Sequence, residues 1–222
     1  MKLKSKQAEP AGRETWAFTL VELLVVISII GVVAALVVGG VRAASGKRDE
    51  AAVKAKLAKL VLAIEAYKGK NGFYPPDNPA NALAFPYWNP LAYELSGVRV
   101  SGANFIPEAD PTHTITPAIL TGYFSLTGLA NTGKNTATKP RYSLSLVGGP
   151  GKNADFVFLT NGTPGLPAAM LLQVPAEHPA GGAANVWRYR AYPAGGHNPK
   201  SFDLWAEYKR SGGGTNILGN WR

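Results

Sequence analysis

The sequence predicts an α+β fold: a long N-terminal helix, hydrophobic in its first half, packed on a small antiparallel β-sheet. Three observations carry this. An apolar run from Phe18 to Val41 contains a single charge, Glu22. Apolar residues then recur at helical spacing at Val53, Leu57, Leu60, Val61, Ile64 and Tyr67. The C-terminal part consists of short strand-like runs separated by Gly, Asn and Pro. A helix followed by a small sheet is an α+β plan.

The apolar run rises about 36 Å as a helix, enough to cross a bilayer with some tilt. A carboxylate in it is costly, about 2.5–3.5 kcal/mol at mid-membrane and less near an interface. Glu22 therefore calls for a partner, and a positive charge on another chain is one that would serve function. The plainer alternative is a side chain snorkelling to water. Ahead of the run, residues 1–17 form a polar leader with Lys2, Lys4, Lys6 and Arg13 against Glu9 and Glu14.

A basic leader before an apolar segment has the outline of a secretory signal, which would be cut near Val41-Arg42-Ala43. The run is longer than the usual h-region of about 7–15 residues, however, and the switch at Ala17-Phe18 is abrupt. The string Ala17-Phe18-Thr19-Leu20-Val21-Glu22-Leu23-Leu24-Val25-Val26 resembles the cleavage and methylation motif of type IV prepilins and type II secretion pseudopilins. The resemblance implies that a prepilin peptidase cuts between Ala17 and Phe18 and methylates the new Phe18 amine. Ala17 stands where the family usually has Gly. Phe18, Thr19 and Glu22 would then be the assembly residues, with Glu22 neutralising the amine of a neighbouring subunit and setting register. A buried charge pair specifies register better than it stabilises.

Lys and Arg counts oppose this orientation. Arg42, Lys47, Arg48, Lys54, Lys56 and Lys59 outnumber the basic residues of the leader. Long domains translocate largely regardless of charge. The resemblance places the leader in the cytoplasm and the C-terminal domain in the periplasm, with a single pass through a bacterial inner membrane at residues 18–41.

The amphipathic half of the helix covers residues 42–70, with alanines adding helix propensity. It is expected to end near Gly69 to Gly72, before Pro75-Pro76. Gly39-Gly40 reads either as small residues easing helix contact or as a soft point. The globular domain spans 71–222. Residues 72–140, rich in Pro, Asn, Gly and aromatics, form a variable loop region. Its aromatics either plug the core over the helix or form a binding surface. Leu91 to Leu95 reads as a helical turn and Thr132 to Lys139 as a mobile loop. The sheet falls in 141–222, with strands at Arg141 to Val147, Asp155 to Thr160, Met170 to Val174, Trp187 to Tyr192 and Phe202 to Tyr208. The sequon Asn161-Gly162-Thr163 sits in a Gly-rich turn and reads as chance.

The C-terminus carries a second resemblance. Asn185-Val186-Trp187-Arg188-Tyr189, Phe202-Asp203-Leu204-Trp205 and Thr215-Asn216-Ile217-Leu218-Gly219-Asn220-Trp221 resemble the end of major pseudopilins. That family often has a calcium loop there. Lys209 and Arg210 stand where acids are expected, leaving Asp203, Glu207 and Asn216 as weak calcium candidates. Calcium prefers several hard, charged oxygens, so no cofactor is expected. The other reading has Asn216, Asn220 and Trp221 pinning the tail to the sheet.

The 222 residues include no cysteine and carry a formal charge of +9. The disulfide common in true pilins is thus impossible, which favours a pseudopilin over a type IV pilus subunit. A basic balance suits anionic lipids, acidic partners or nucleic acid. In a strand, Arg188 and Arg190 face one way and Trp187 and Tyr189 the other, so no specific nucleic-acid patch is expected. His113, His178 and His197 lack metal-ligand spacing, and Gly148-Gly149-Pro150-Gly151-Lys152 lacks the full phosphate-loop pattern. No enzymatic activity is expected. The resemblance implies a homo-oligomeric filament, with other pseudopilins and an inner-membrane assembly platform as partners.

Overall fold

The computed structural model describes residues 19–80, 83–149, 151, 154–182, 184–191, 196–210 and 212–221, with backbone alone at 39–44. The leader, Ala17 and Phe18 lie outside the described residues. The chain divides into two units, Met1–Ala43 and Ala44–Arg222.

In the first unit the described residues are one helical stretch, exposed from 19 to 38. Leu20–Val38 is long and apolar enough to cross a membrane, and fits either a single span or a signal sequence. Ser28 donates its hydroxyl to the Leu24 carbonyl at 2.7 Å, so its polar atom is satisfied inside the apolar stretch. This stretch belongs to helix α1, Leu20–Asn71, whose backbone stays helical through Gly39-Gly40. The helix ends as its sequence predicts. Gly72 takes a positive φ of 86° and returns its N–H to the Lys68 carbonyl at 2.7 Å.

The second unit is α+β. The apolar stripe of α1 that the spacing marked (Val53, Leu57, Leu60, Ile64 and Tyr67) is buried, and Val61 is half-buried. The remaining elements are α2 (Leu91–Ser96), β1 (Val98–Ser101), β2 (Asn104–Pro107), α3 (Pro117–Phe124), β3 (Thr132–Gly133), β4 (Phe156–Leu159), β5 (Ala169–Leu172), β6 (Arg188–Ala191), β7 (Phe202–Lys209) and β8 (Thr215–Gly219). They form three small sheets ordered β2-β1-β3, β4-β5 and β6-β7-β8. All pairs are antiparallel except β1 with β3. One sheet was expected. The strands run from two residues in β3 to eight in β7, and the three small sheets share one core with the second half of α1.

Residues 72–140 carry α2, β1, β2, α3 and β3 between irregular segments. β1 and β2 make a hairpin across Gly102, whose φ is 62°. Thr116 caps α3 by accepting the Ile119 N–H at 3.3 Å, with Pro117 in the first turn. Within Thr132 to Lys139, β3 pairs with β1 and Asn135 Oδ1 accepts the Ala137 and Thr138 N–H groups. The expected strand at Arg141 to Val147 is absent. Its alternation buries Leu146, but its N–H groups go elsewhere: Tyr142 to Asn131 Oδ1, Leu144 to the Leu95 carbonyl, Val147 to Asp155 Oδ2.

Buried polar side chains clamp these segments together. Glu94 is fully buried in α2 and accepts from Ala130 N–H (2.7 Å), Asn131 N–H (2.9 Å) and the Tyr67 hydroxyl (2.8 Å). Burial pushes its pKa up; these three donors pull against that. Asp155, at the entry to β4, pairs with Lys56 and, at 3.6 Å, with Lys59. Burial, then the neighbouring Lys59, holds Lys56 down at about 8.

Candidate functional site

The first turn of α1 carries the site. Thr19 is the residue before the helix and Glu22 the third within it. The Glu22 carboxylate turns back: its Oε2 accepts the Thr19 N–H at 2.9 Å and the Thr19 hydroxyl at 2.8 Å. Thr19 Oγ1 accepts the Glu22 N–H at 3.2 Å. This is a capping box, which satisfies two backbone donors that a helix start leaves open. A negative charge in the first turn also meets the positive end of the helix dipole. Both effects lower the cost of a carboxylate at the head of an apolar helix.

One carboxylate oxygen is left over. Among the described residues Glu22 Oε1 has no hydrogen-bond partner, and Glu22 is exposed. Around it the helix shows apolar side chains on every side, with Leu20 79%, Leu24 54% and Leu36 72% exposed. A surface of that kind is stable only when lipid or other apolar protein covers it. The T-x-x-E spacing that makes the box is legible in the sequence, where Thr19 and Glu22 were expected as assembly residues but not as each other's cap.

The weak calcium candidates do not come together. Asp203 is 1% exposed, and its two oxygens accept the His197 and Asn198 N–H groups at 2.9 Å each. Glu207 Oε1 faces Arg188 at 3.2 Å and the Trp205 indole N–H at 3.3 Å. Asn216 pairs with Tyr208, five residues along β7 from Asp203, or about 17 Å in a strand. Its Oδ1 accepts two N–H bonds from the Arg210 guanidinium, at 3.0 and 2.9 Å. A cation from the chain itself thus occupies that oxygen. Among the described residues no three His, Asp or Glu side chains gather to hold a metal.

The tail is pinned to the sheet through Asn216, Asn220 and Trp221. Asn220 Oδ1 accepts the Leu204 N–H at 2.9 Å, and its Nδ2 donates to the Phe202 carbonyl at 2.9 Å. The Trp221 ring stacks on His197 at 4.0 Å and covers Gly219, where a Cβ would meet the ring at 2.6 Å. Asn216 ties the tail to β7 as well, donating to the Tyr208 hydroxyl at 3.4 Å, and accepts from Arg210. Along Trp187 and β6 the aromatics face inward as expected, with Trp187 and Tyr189 buried in the core; the arginines, expected to point outward, are covered instead, Arg188 buried beside Glu207 and Arg190 half-buried toward Asp203.

Comparison with protein-family models, with curated proteins and with solved structures found no match.

Proposed function

We propose that the chain is a pseudopilin subunit of a type II secretion system. It is held in a bacterial inner membrane by residues 18–41 and assembles into a periplasmic filament that drives protein export. The observation that supports this most is the Thr19–Glu22 box heading a bare apolar helix, directly after the Ala17-Phe18 junction.

The mechanism follows from charge. Cutting before Phe18 creates a cationic amine, and methylation preserves that charge. Glu22 keeps Oε1 available while Oε2 holds Thr19, so it can accept a neighbour's amine without giving up its own cap. In an apolar surrounding such a pair is strong when matched and costly when mismatched, which selects one register. The apolar helices then pack together, and the globular domains face outward. An assembly platform and an ATPase on other chains supply the force; this chain supplies docking.

Glu22→Gln separates capping from charge, because Gln also completes a capping box. We expect Glu22→Gln and Glu22→Ala both to abolish filament assembly and export. Normal assembly by Glu22→Gln would remove the ion pair from the account. Long surface fibres that vanish when the chain is deleted would instead mark a type IV pilus subunit.

A further inference from the structure

A cavity of about 500 Å³ opens in the Ala44–Arg222 unit, within the roughly 300–1,000 Å³ range of small-molecule sites. Its aromatic wall is Phe85, Tyr87, Trp88 and Tyr123; its polar wall includes Thr160 and Asn161. The four rings are contiguous. Phe85 meets Tyr87 edge-on at 5.9 Å, Tyr87 meets Trp88 at 5.9 Å, and Trp88 meets Tyr123 at 4.8 Å.

The wall is set before any ligand arrives. Asn78 is 1% exposed and donates from Nδ2 to the carbonyls of Trp88 (3.3 Å) and Tyr123 (3.0 Å), bolting the two ring-bearing segments together. Asn89 Nδ2 ties the same loop to the Trp187 carbonyl at 3.0 Å. Preorganisation of this kind removes part of the ordering cost of binding. Opposite, Asn161 Oδ1 accepts the Thr163 N–H at 3.0 Å, which orients the amide and leaves Nδ2 to donate. Thr160 and Asn161 are both exposed.

Among the described residues, no Asp, Glu, Lys, Arg or His lines the cavity. A charged ligand would find no counter-charge there. The walls instead match a molecule with a flat C–H face and hydroxyls around its rim. A proline-rich peptide would use the rings and accept from Asn161 Nδ2 through its carbonyls, but it brings no donors for the Thr160 hydroxyl oxygen, which a saccharide's hydroxyls supply. We propose that this cavity binds a neutral, gluco-configured saccharide chain. All-equatorial pyranose rings present axial C–H groups to the aromatic wall, while their equatorial hydroxyls reach Thr160 and Asn161. The inference stands apart from the filament reading.

The test uses the full chain in lipid nanodiscs, since sugar-headed detergents would compete. Cellohexaose and chitohexaose are titrated by saturation-transfer NMR and by tryptophan fluorescence, with decaproline alongside. At least one saccharide should bind saturably in the millimolar range or tighter. Thr160→Ala with Asn161→Ala should weaken it roughly tenfold with only a small drop in melting temperature, because the bond lost, Asn161 Oδ1 to the Thr163 N–H, lies in an exposed segment. Trp88→Phe should weaken it as well. Absence of saturable binding by either saccharide, binding undiminished in the double variant, or decaproline binding as tightly as the saccharides would overturn the proposal.

Discussion

Thr19 and Glu22 hold each other across the first turn of α1 through three hydrogen bonds, at 2.9, 2.8 and 3.2 Å. Two of the three run through the Thr19 hydroxyl. Thr19→Ala should therefore cost about 1 kcal/mol of local helix stability. Amide exchange should accelerate at Leu20 to Glu22 and stay unchanged past the first two turns. Thr19→Ser, which keeps the hydroxyl, should behave as the parent.

Glu94 should be indispensable to the core. Glu94→Ala leaves the Ala130 and Asn131 N–H groups and the Tyr67 hydroxyl without their acceptor, and should cost about 3 kcal/mol or more in denaturant unfolding. Glu94→Gln keeps shape but turns an amide toward backbone donors, and should cost less. The pH dependence has a definite sign. A folded-state pKa raised by burial means that the native state binds the proton more tightly than the unfolded chain. Glu94's contribution is then fully present below the ordinary carboxylate pKa and is lost as pH rises through the raised one. The stability difference between parent and Glu94→Gln should widen in the parent's favour on acidification, and a difference that narrows would contradict this.

Asp155 neutralises two lysines of α1 at once. Asp155→Asn keeps an acceptor for the Val147 N–H but leaves the Lys56 ammonium largely buried beside Lys59. The expected loss is about 3 kcal/mol, read as a lower denaturation midpoint with an unchanged slope. Adding Lys56→Met should recover part of it, since a buried charge is worse than a matched apolar group.

Calcium should not stabilise the fold. Asp203 is saturated by backbone donors and Asn216 by Arg210. Melting curves in calcium and in chelator should superimpose. A midpoint raised by calcium and reversed by chelator would contradict this, since among the described residues no carboxylates gather to hold a metal.

What the sequence showed plainly was what local patterning controls. The bare apolar run, the stripe from Val53 to Tyr67 and the stop at Gly72 are periodicity and capping signals, and the structure follows them. Strands β4 to β7 were legible because apolar and β-branched or aromatic residues lie between turn-formers. Thr116-Pro117 marked the start of α3, but the surrounding Pro and Asn content pointed to loop. Arg141 to Val147 misled because its alternation is real while its hydrogen bonds run to the end of α2 and to side chains. The aromatics of 72–140 left a binding surface open as one reading, but not the cavity, since Trp88, Tyr123 and Thr160 meet only through tertiary packing.

The central claim is that a freed, charged Phe18 amine meets a neighbour's Glu22. Intact-mass and N-terminal peptide mass spectrometry of the chain purified from its native membrane tests this most directly. The account predicts a polypeptide beginning at Phe18 and carrying one N-terminal methyl group. A chain that begins at Met1, or near Ala44 as after ordinary signal cleavage, would contradict it.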